Sequence, residues 1–165
     1  MQITSFKDLY IAELQELTSL EGQLVDALQR MAEAASHPSL KNALKHHREQ
    51  TQAQKQRLES ILQKHGANPQ AHTDQATQAL INETEKMITM VKGDGLRDAA
   101  LIASAQKVKH YEIAAYGTAA ALAGQLDLRD DQGLLHESLE EEKEADAELT
   151  KLAKSEVNQA AVQCS

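Results

Sequence analysis

Residues 97–123, RDAALIASAQKVKHYEIAAYGTAAALA, decide the fold. The stretch lacks proline, holds glycine only at position 117 and is built mainly of alanine and straight-chain residues, which lose little freedom in a helix. At about 100° per residue, Leu101, Ala105, Val108, Glu112, Ala115, Ala119 and Leu122 fall on one stripe. That length and periodicity predict a long helix with one buried face, and they put a carboxylate, Glu112, inside the seam. Working outward, LHESLEEEKEADAELTKLA at 135–153 repeats the pattern through Leu135, Leu139, Glu142, Asp146, Leu149 and Ala153. Here Glu142 and Asp146, one turn apart, are both expected to point inward. Toward the N-terminus, Leu14, Leu17, Glu21, Leu24, Leu28 and Met31 form a third stripe that encloses Glu21. A fourth stripe, Leu40, Leu44, His47, Thr51, Gln54 and Leu58, has imidazole and uncharged groups at its polar positions, with Gln50 at its edge.

Punctuation divides the chain accordingly. Ser5 can cap a first helix, with Asp8 complementing its N-terminus, and that helix runs to about Ala35. His37-Pro38 interrupts it, and Pro38 suits the first turn of a second helix, which ends near His65 before Gly66 and Asn68-Pro69. A shorter amphipathic helix follows Thr73-Asp74, with Leu80, Ile81, Thr84, Met87, Ile88 and Val91 on one side, and stops at Gly93-Asp94-Gly95. The fourth helix spans about Leu96 to Ala123, and the fifth starts near Asp130. Four long helices in two hairpins, joined by a connection that carries a short fifth helix, describe an all-α four-helix bundle with one crossover. The whole chain, 1–165, reads as a single domain, and about 156–165 as a flexible tail.

Composition agrees. Four aromatic residues and nine glycines and prolines together are too few for a β-sandwich or barrel. The net charge of −8 provides no positive field for a phosphate backbone, so nucleic acid is not an expected partner. No apolar run approaches the roughly 20 residues of a membrane span, and charges at Lys7, Asp8 and Glu13 leave no signal-peptide core. A soluble, cytoplasmic protein is expected. The single cysteine, Cys164, has no internal partner and fits a reducing compartment.

Carboxylates inside a bundle are costly unless neutralised, paired or bound to metal. In carboxylate-bridged di-iron and di-manganese bundles, two helices each supply a Glu and the other two each supply Glu-x-x-His. Carboxylate oxygens and imidazole nitrogens suit iron and manganese. The candidate metal ligands here are Glu21, His47, Glu112, Glu142 and Asp146. Glu112 and Glu142 are equidistant from the loop between their helices and should face each other. The level partner of Glu21 falls between Gln50 and Gln54. No Glu-x-x-His occurs in the chain; His47-x-x-Gln50 is reversed and carries an amide. The competing reading pairs Glu112 with Lys109 and leaves Glu142 and Asp146 solvated at a stripe edge. Tyr116, one turn after Glu112, can support that carboxylate or serve as a plain core residue.

These segments, with LTSLEGQL at 17–24 and LKHHREQTQAQKQRLE at 44–59, resemble the YciF-like family of bacterial ferritin-like stress proteins. The likeness covers about residues 3–155 and is most specific at Lys109–Ala114, Lys-His-Tyr-Glu-Ile-Ala. It implies a ferritin-like bundle, commonly dimeric, in bacterial cytoplasm, linked to stress and without an established activity. Glu21, His47, Glu112 and Glu142 fall on the family's corresponding helix positions, whereas Gln50 stands where Glu is usual and Lys109 where Val-Glu-His-Tyr-Glu is expected. Two functions follow as expectations. One is a bundle binding iron or manganese, with peroxide, oxygen or iron-handling activity. The other is a metal-free structural or interaction module, in which Lys109 bridges Glu112 or Glu142. A homodimer, through the short 74–92 helix or the outer faces of the long ones, is expected under both.

Overall fold

The computed structural model describes residues 2–163, so Cys164 lies outside them. α1 spans Phe6–Ala34, α2 Pro38–Lys64, α3 Gln75–Met90, α4 Asp94–Gln125 and α5 Arg129–Leu152. A π-helical turn, Ala153–Val157, then leads into α6, Asn158–Gln163. The described residues contain no strand. α1 pairs with α2 and α4 with α5, while α1 also packs on α4 and α2 on α5, giving the expected ferritin-like four-helix bundle with α3 in the crossover.

Local chemistry fixes each boundary. The Ser5 hydroxyl accepts from the Asp8 amide at 3.1 Å, and the Asp8 carboxylate accepts from the Ser5 amide at 2.9 Å, a complete capping box. The break between α1 and α2 is held from across the bundle, because buried Asp98 of α4 accepts from the amides of Ser36 and His37, both at 2.8 Å. Gly66, at φ 69°, closes α2 in the left-handed region, and Gly93, at φ 101°, opens α4. Asp74 caps α3 and also accepts from the Tyr111 hydroxyl at 3.0 Å, while its own amide donates to Ser19 at 2.9 Å. One aspartate therefore ties the crossover helix to α1 and α4.

The four stripes meet in one core, in which Leu14, Leu17, Leu24, Leu44, Leu58, Leu101, Leu135 and Leu149 are all buried. Each such side chain contributes roughly 1.5–3 kcal/mol relative to exposure. α4 differs in detail from its predicted stripe, since Lys109, Tyr116, Ala120 and Ala123 are buried with it while Ala115 and Leu122 are only partly so. The segment expected as a flexible tail is helical through Gln163. Its π-turn re-phases the helix so that Val157 and Ala161 are buried, and α6 lies against the start of α4 so closely that a Cβ on Gly95 would sit 3.1 Å from the Ala161 Cα.

Candidate functional site

Midway along the bundle, each long helix contributes polar side chains to the core. α1 supplies Glu21, α2 supplies His47 and Gln54, α4 supplies Lys109, Glu112 and Tyr116, and α5 supplies Glu142; all are at most 2% exposed. Lys109 organises the arrangement. Its Nζ lies 3.2 Å from Glu112 Oε2 and 2.8 Å from Glu142 Oε2, so one ammonium spans two helices and two carboxylates. Glu112 and Glu142 thus come together as their spacing from the α4–α5 loop predicts.

The rest of the centre is loosely partnered. The Tyr116 hydroxyl faces Glu21, and Glu112 and the Gln54 amide face Glu142, but both Glu21 oxygens, the Gln54 amide, the Tyr116 hydroxyl and Glu112 Oε1 fall short of full hydrogen-bond geometry, as does His47 Nδ1. His47 Nε2 faces Glu148 at 3.4 Å, at the rim. Of the two glutamines that bracket the level of Glu21, Gln54 is buried and Gln50 stays at the edge. Asp146, expected inward beside Glu142, does not join. Its carboxylate pairs with exposed His110 at 3.1 Å, and Ala145 takes the core position, because the α5 stripe steps from 142 to 145 to 149.

Electrostatics follow from burial and from Lys109. Burial, then the charge of Glu142, raise the pKa of Glu21 well above the carboxylate range, and Lys109 only partly offsets them. Glu112 is raised for the same reasons. Burial is the largest influence on Glu142 and pushes it in the same direction, but Lys109 together with hydrogen bonding from Glu112 and Gln54 outweighs it and holds Glu142 below its usual value. Burial opposes the charge on Lys109, yet Glu112 and Glu142 more than compensate, so its pKa is raised and it stays an ammonium. Burial, reinforced by Lys109, pushes His47 down to about 4. The centre is therefore a Lys109–Glu142 ion pair beside two carboxyls whose ionisation burial opposes and an imidazole whose protonation burial opposes.

A dinuclear metal centre does not fit this donor set. The oxygens that would bridge two cations are taken by Lys109, the second-helix carboxylate is absent, and no three His, Cys, Asp or Glu side chains among the described residues are gathered closely enough to hold one ion. Surface grooves of about 420 and 450 Å³ are lined by residues such as Gln29, Lys45 and Arg48, or Val25, Gln52 and Lys55, none of them part of the centre.

A second buried polar cluster, which the sequence does not advertise, lies at the end of the bundle near the α4–α5 loop. Asp131 of α5 is fully buried and accepts from the Tyr10 hydroxyl at 3.0 Å, pairs with His65 Nε2 at 2.7 Å and pairs with Lys64 Nζ. In the sequence Asp131 is indistinguishable from an acidic residue complementing the first turn of a helix.

With this architecture in hand, comparison with known proteins is decisive. A family model described as a domain of unknown function, DUF892, matches residues 5–162. The chain belongs to the DUF892 family. Protein YciF of Escherichia coli K12 is 41% identical over 162 residues, 98% of each chain. The crystal structure of the E. coli stress protein YciF covers 94% of this DUF892 chain and 99% of its own, at 41% identity and a TM-score of 0.90. YcfI from Rhodopseudomonas palustris covers 90% and 95%, at 36% identity and a TM-score of 0.87. No helix among the described residues of the DUF892 chain is long and apolar enough to cross a membrane.

Proposed function

We propose that this DUF892 protein is a metal-free structural module of the bacterial stress response, acting in the cytoplasm as a homodimer through its outer surface rather than through chemistry in its core. The observation that carries this reading is Lys109, buried and bridging Glu112 and Glu142 where a metal-bridged bundle would place a cation. The stress description of E. coli YciF and the structural description of the R. palustris relative support the setting. The dimer is supported by apolar side chains left exposed around the α3–α4 turn, Met90 at 67% and Leu96 at 42%. Purified protein supplied with Fe(II) or Mn(II) should consume peroxide and oxygen no faster than the metal alone. Sustained turnover would overturn the reading. Sedimentation showing only an 18.1 kDa species at micromolar concentration would remove the dimer.

A second reading, iron or manganese binding with peroxide, oxygen or iron-handling activity, is favoured by one observation. Both Glu21 oxygens and His47 Nδ1 are buried and complete no well-formed hydrogen bond, and such groups call for water or an ion. The turnover assay separates the two.

A further inference from the structure

We infer that Lys109 is a built-in counter-ion that takes the place of a metal cation between Glu112 and Glu142, so that it keeps iron and manganese out of a centre that gains capacity for them only when the ammonium is removed. The inference rests on the metal-free reading above and names what enforces it.

The argument is one of charge and position. A dinuclear carboxylate centre sets four carboxylates against two dications, and the charges cancel. Here Glu21, Glu112 and Glu142 provide −3 when ionised and Lys109 provides +1, a sum of −2, so one dication would be balanced and a second would leave +2 in a fully buried site. Uncompensated charge of that size is not tolerated in a protein interior, so charge excludes the second cation. Position excludes the first, because the Lys109 Nζ lies 2.8 and 3.2 Å from the Glu142 and Glu112 oxygens that a cation there would need. A cation placed there would meet the ammonium at close range, and Lys109 has no exposed direction in which to withdraw, being 2% exposed.

What remains is a donor set without a guest. Glu21 Oε1 and Oε2, Glu112 Oε1 and His47 Nδ1 are buried and complete no well-formed hydrogen bond, although Tyr116 faces Glu21 and Gln54 faces Glu142. These atoms have metal-ligand chemistry and are not satisfied by the ion pair. Removing the ammonium restores capacity for cations, and the number admitted should follow the charge restored. Lys109→Glu gives −4 and room for about two dications, whereas Lys109→Met gives −3 and room for about one.

The test uses untagged full-length wild type, Lys109→Glu and Lys109→Met, purified without chelators and dialysed against MnCl2 or, anaerobically, ferrous salt. Metal per chain and melting temperature with and without metal are the readouts. Wild type should stay empty with an unmoved melting temperature; Lys109→Glu should hold about two equivalents and Lys109→Met about one, each melting higher with metal because only the native state offers the site. Folding of a variant only when metal is present supports the inference equally. A wild type and both folded variants that all remain empty overturn it while leaving the metal-free reading intact. Two variants that unfold with and without metal also overturn it, since the ammonium would then be irreplaceable by any cation. A wild type that loads metal overturns both.

Discussion

Two buried aspartate or glutamate clusters sit in one bundle and are treated in opposite ways. At the loop end, Asp131 has three partners, Tyr10, Lys64 and His65, drawn from α1 and the end of α2. At mid-bundle, Glu21 is equally buried but completes no well-formed hydrogen bond, facing only the Tyr116 hydroxyl, while Lys109 makes its close ion pairs with Glu112 and Glu142. A satisfied cluster ties elements together, and its pKa moves accordingly. Burial opposes ionisation of Asp131, but its hydrogen bonds from His65, Lys64 and Tyr10 hold it below 3.8. An unsatisfied cluster does the reverse, and Glu21 is pushed well above 4.5. The difference marks the first as architecture and the second as a place shaped for something more than packing.

Four measurements sharpen or break that contrast, beginning with the largest effect. Lys109→Met without metal leaves Glu142 buried opposite no cation and should cost about 3–5 kcal/mol in urea unfolding. A loss below about 1 kcal/mol would mean that water already reaches the ion pair. Asp131→Ala removes the acceptor of Tyr10 and His65 and should cost about 2–3 kcal/mol, with faster amide exchange at the start of α5.

Glu21→Gln should do the opposite and stabilise the protein by about 1 kcal/mol at pH 8, because it replaces a carboxyl whose ionisation folding opposes. The sign also appears in pH profiles. A carboxyl raised in the folded state weakens stability as pH climbs above 4.5, so the wild-type decline on the alkaline side should flatten in Glu21→Gln. On the acid side, His47 is depressed from 6.5 to about 4, so its contribution is present above pH 6.5 and lost as pH falls through about 4. Unchanged profiles would mean that Glu21 ionises freely. The smallest effect belongs to the surface, where Arg30→Ala, breaking the half-exposed 2.7 Å pair with Glu85 of α3, should change stability by less than about 0.5 kcal/mol.

The architecture was legible because long helices declare themselves through periodicity, and the boundaries through Ser5, Pro38, Gly66 and Gly93. Glu21, His47, Glu112 and Glu142 were legible for the same reason, each being a polar interruption of an apolar stripe. Lys109 was visible as a departure from the family pattern, but projection did not show that it would enter the core, because a lysine on a helical wheel reads as solvent-facing until a partner from another helix is known. Asp146 misled because the buried stripe of the regular α5 helix steps by three from Glu142 to Ala145, which leaves position 146 at the rim. Asp131 and Asp98 were invisible, since an acid near a helix start has a sufficient local explanation and their partners lie far away in sequence. The helical path of the last residues was not legible because SEVNQAAVQ is polar on average, while only Val157 and Ala161 are apolar and buried.

The most direct test is the metal content of untagged wild-type protein, by plasma mass spectrometry after purification without chelators and saturation with Fe(II) or Mn(II) followed by desalting. A Lys109 counter-ion predicts traces of metal far below one equivalent per chain. About two equivalents of iron or manganese would contradict it, and would show that the centre opens despite the ammonium at its middle.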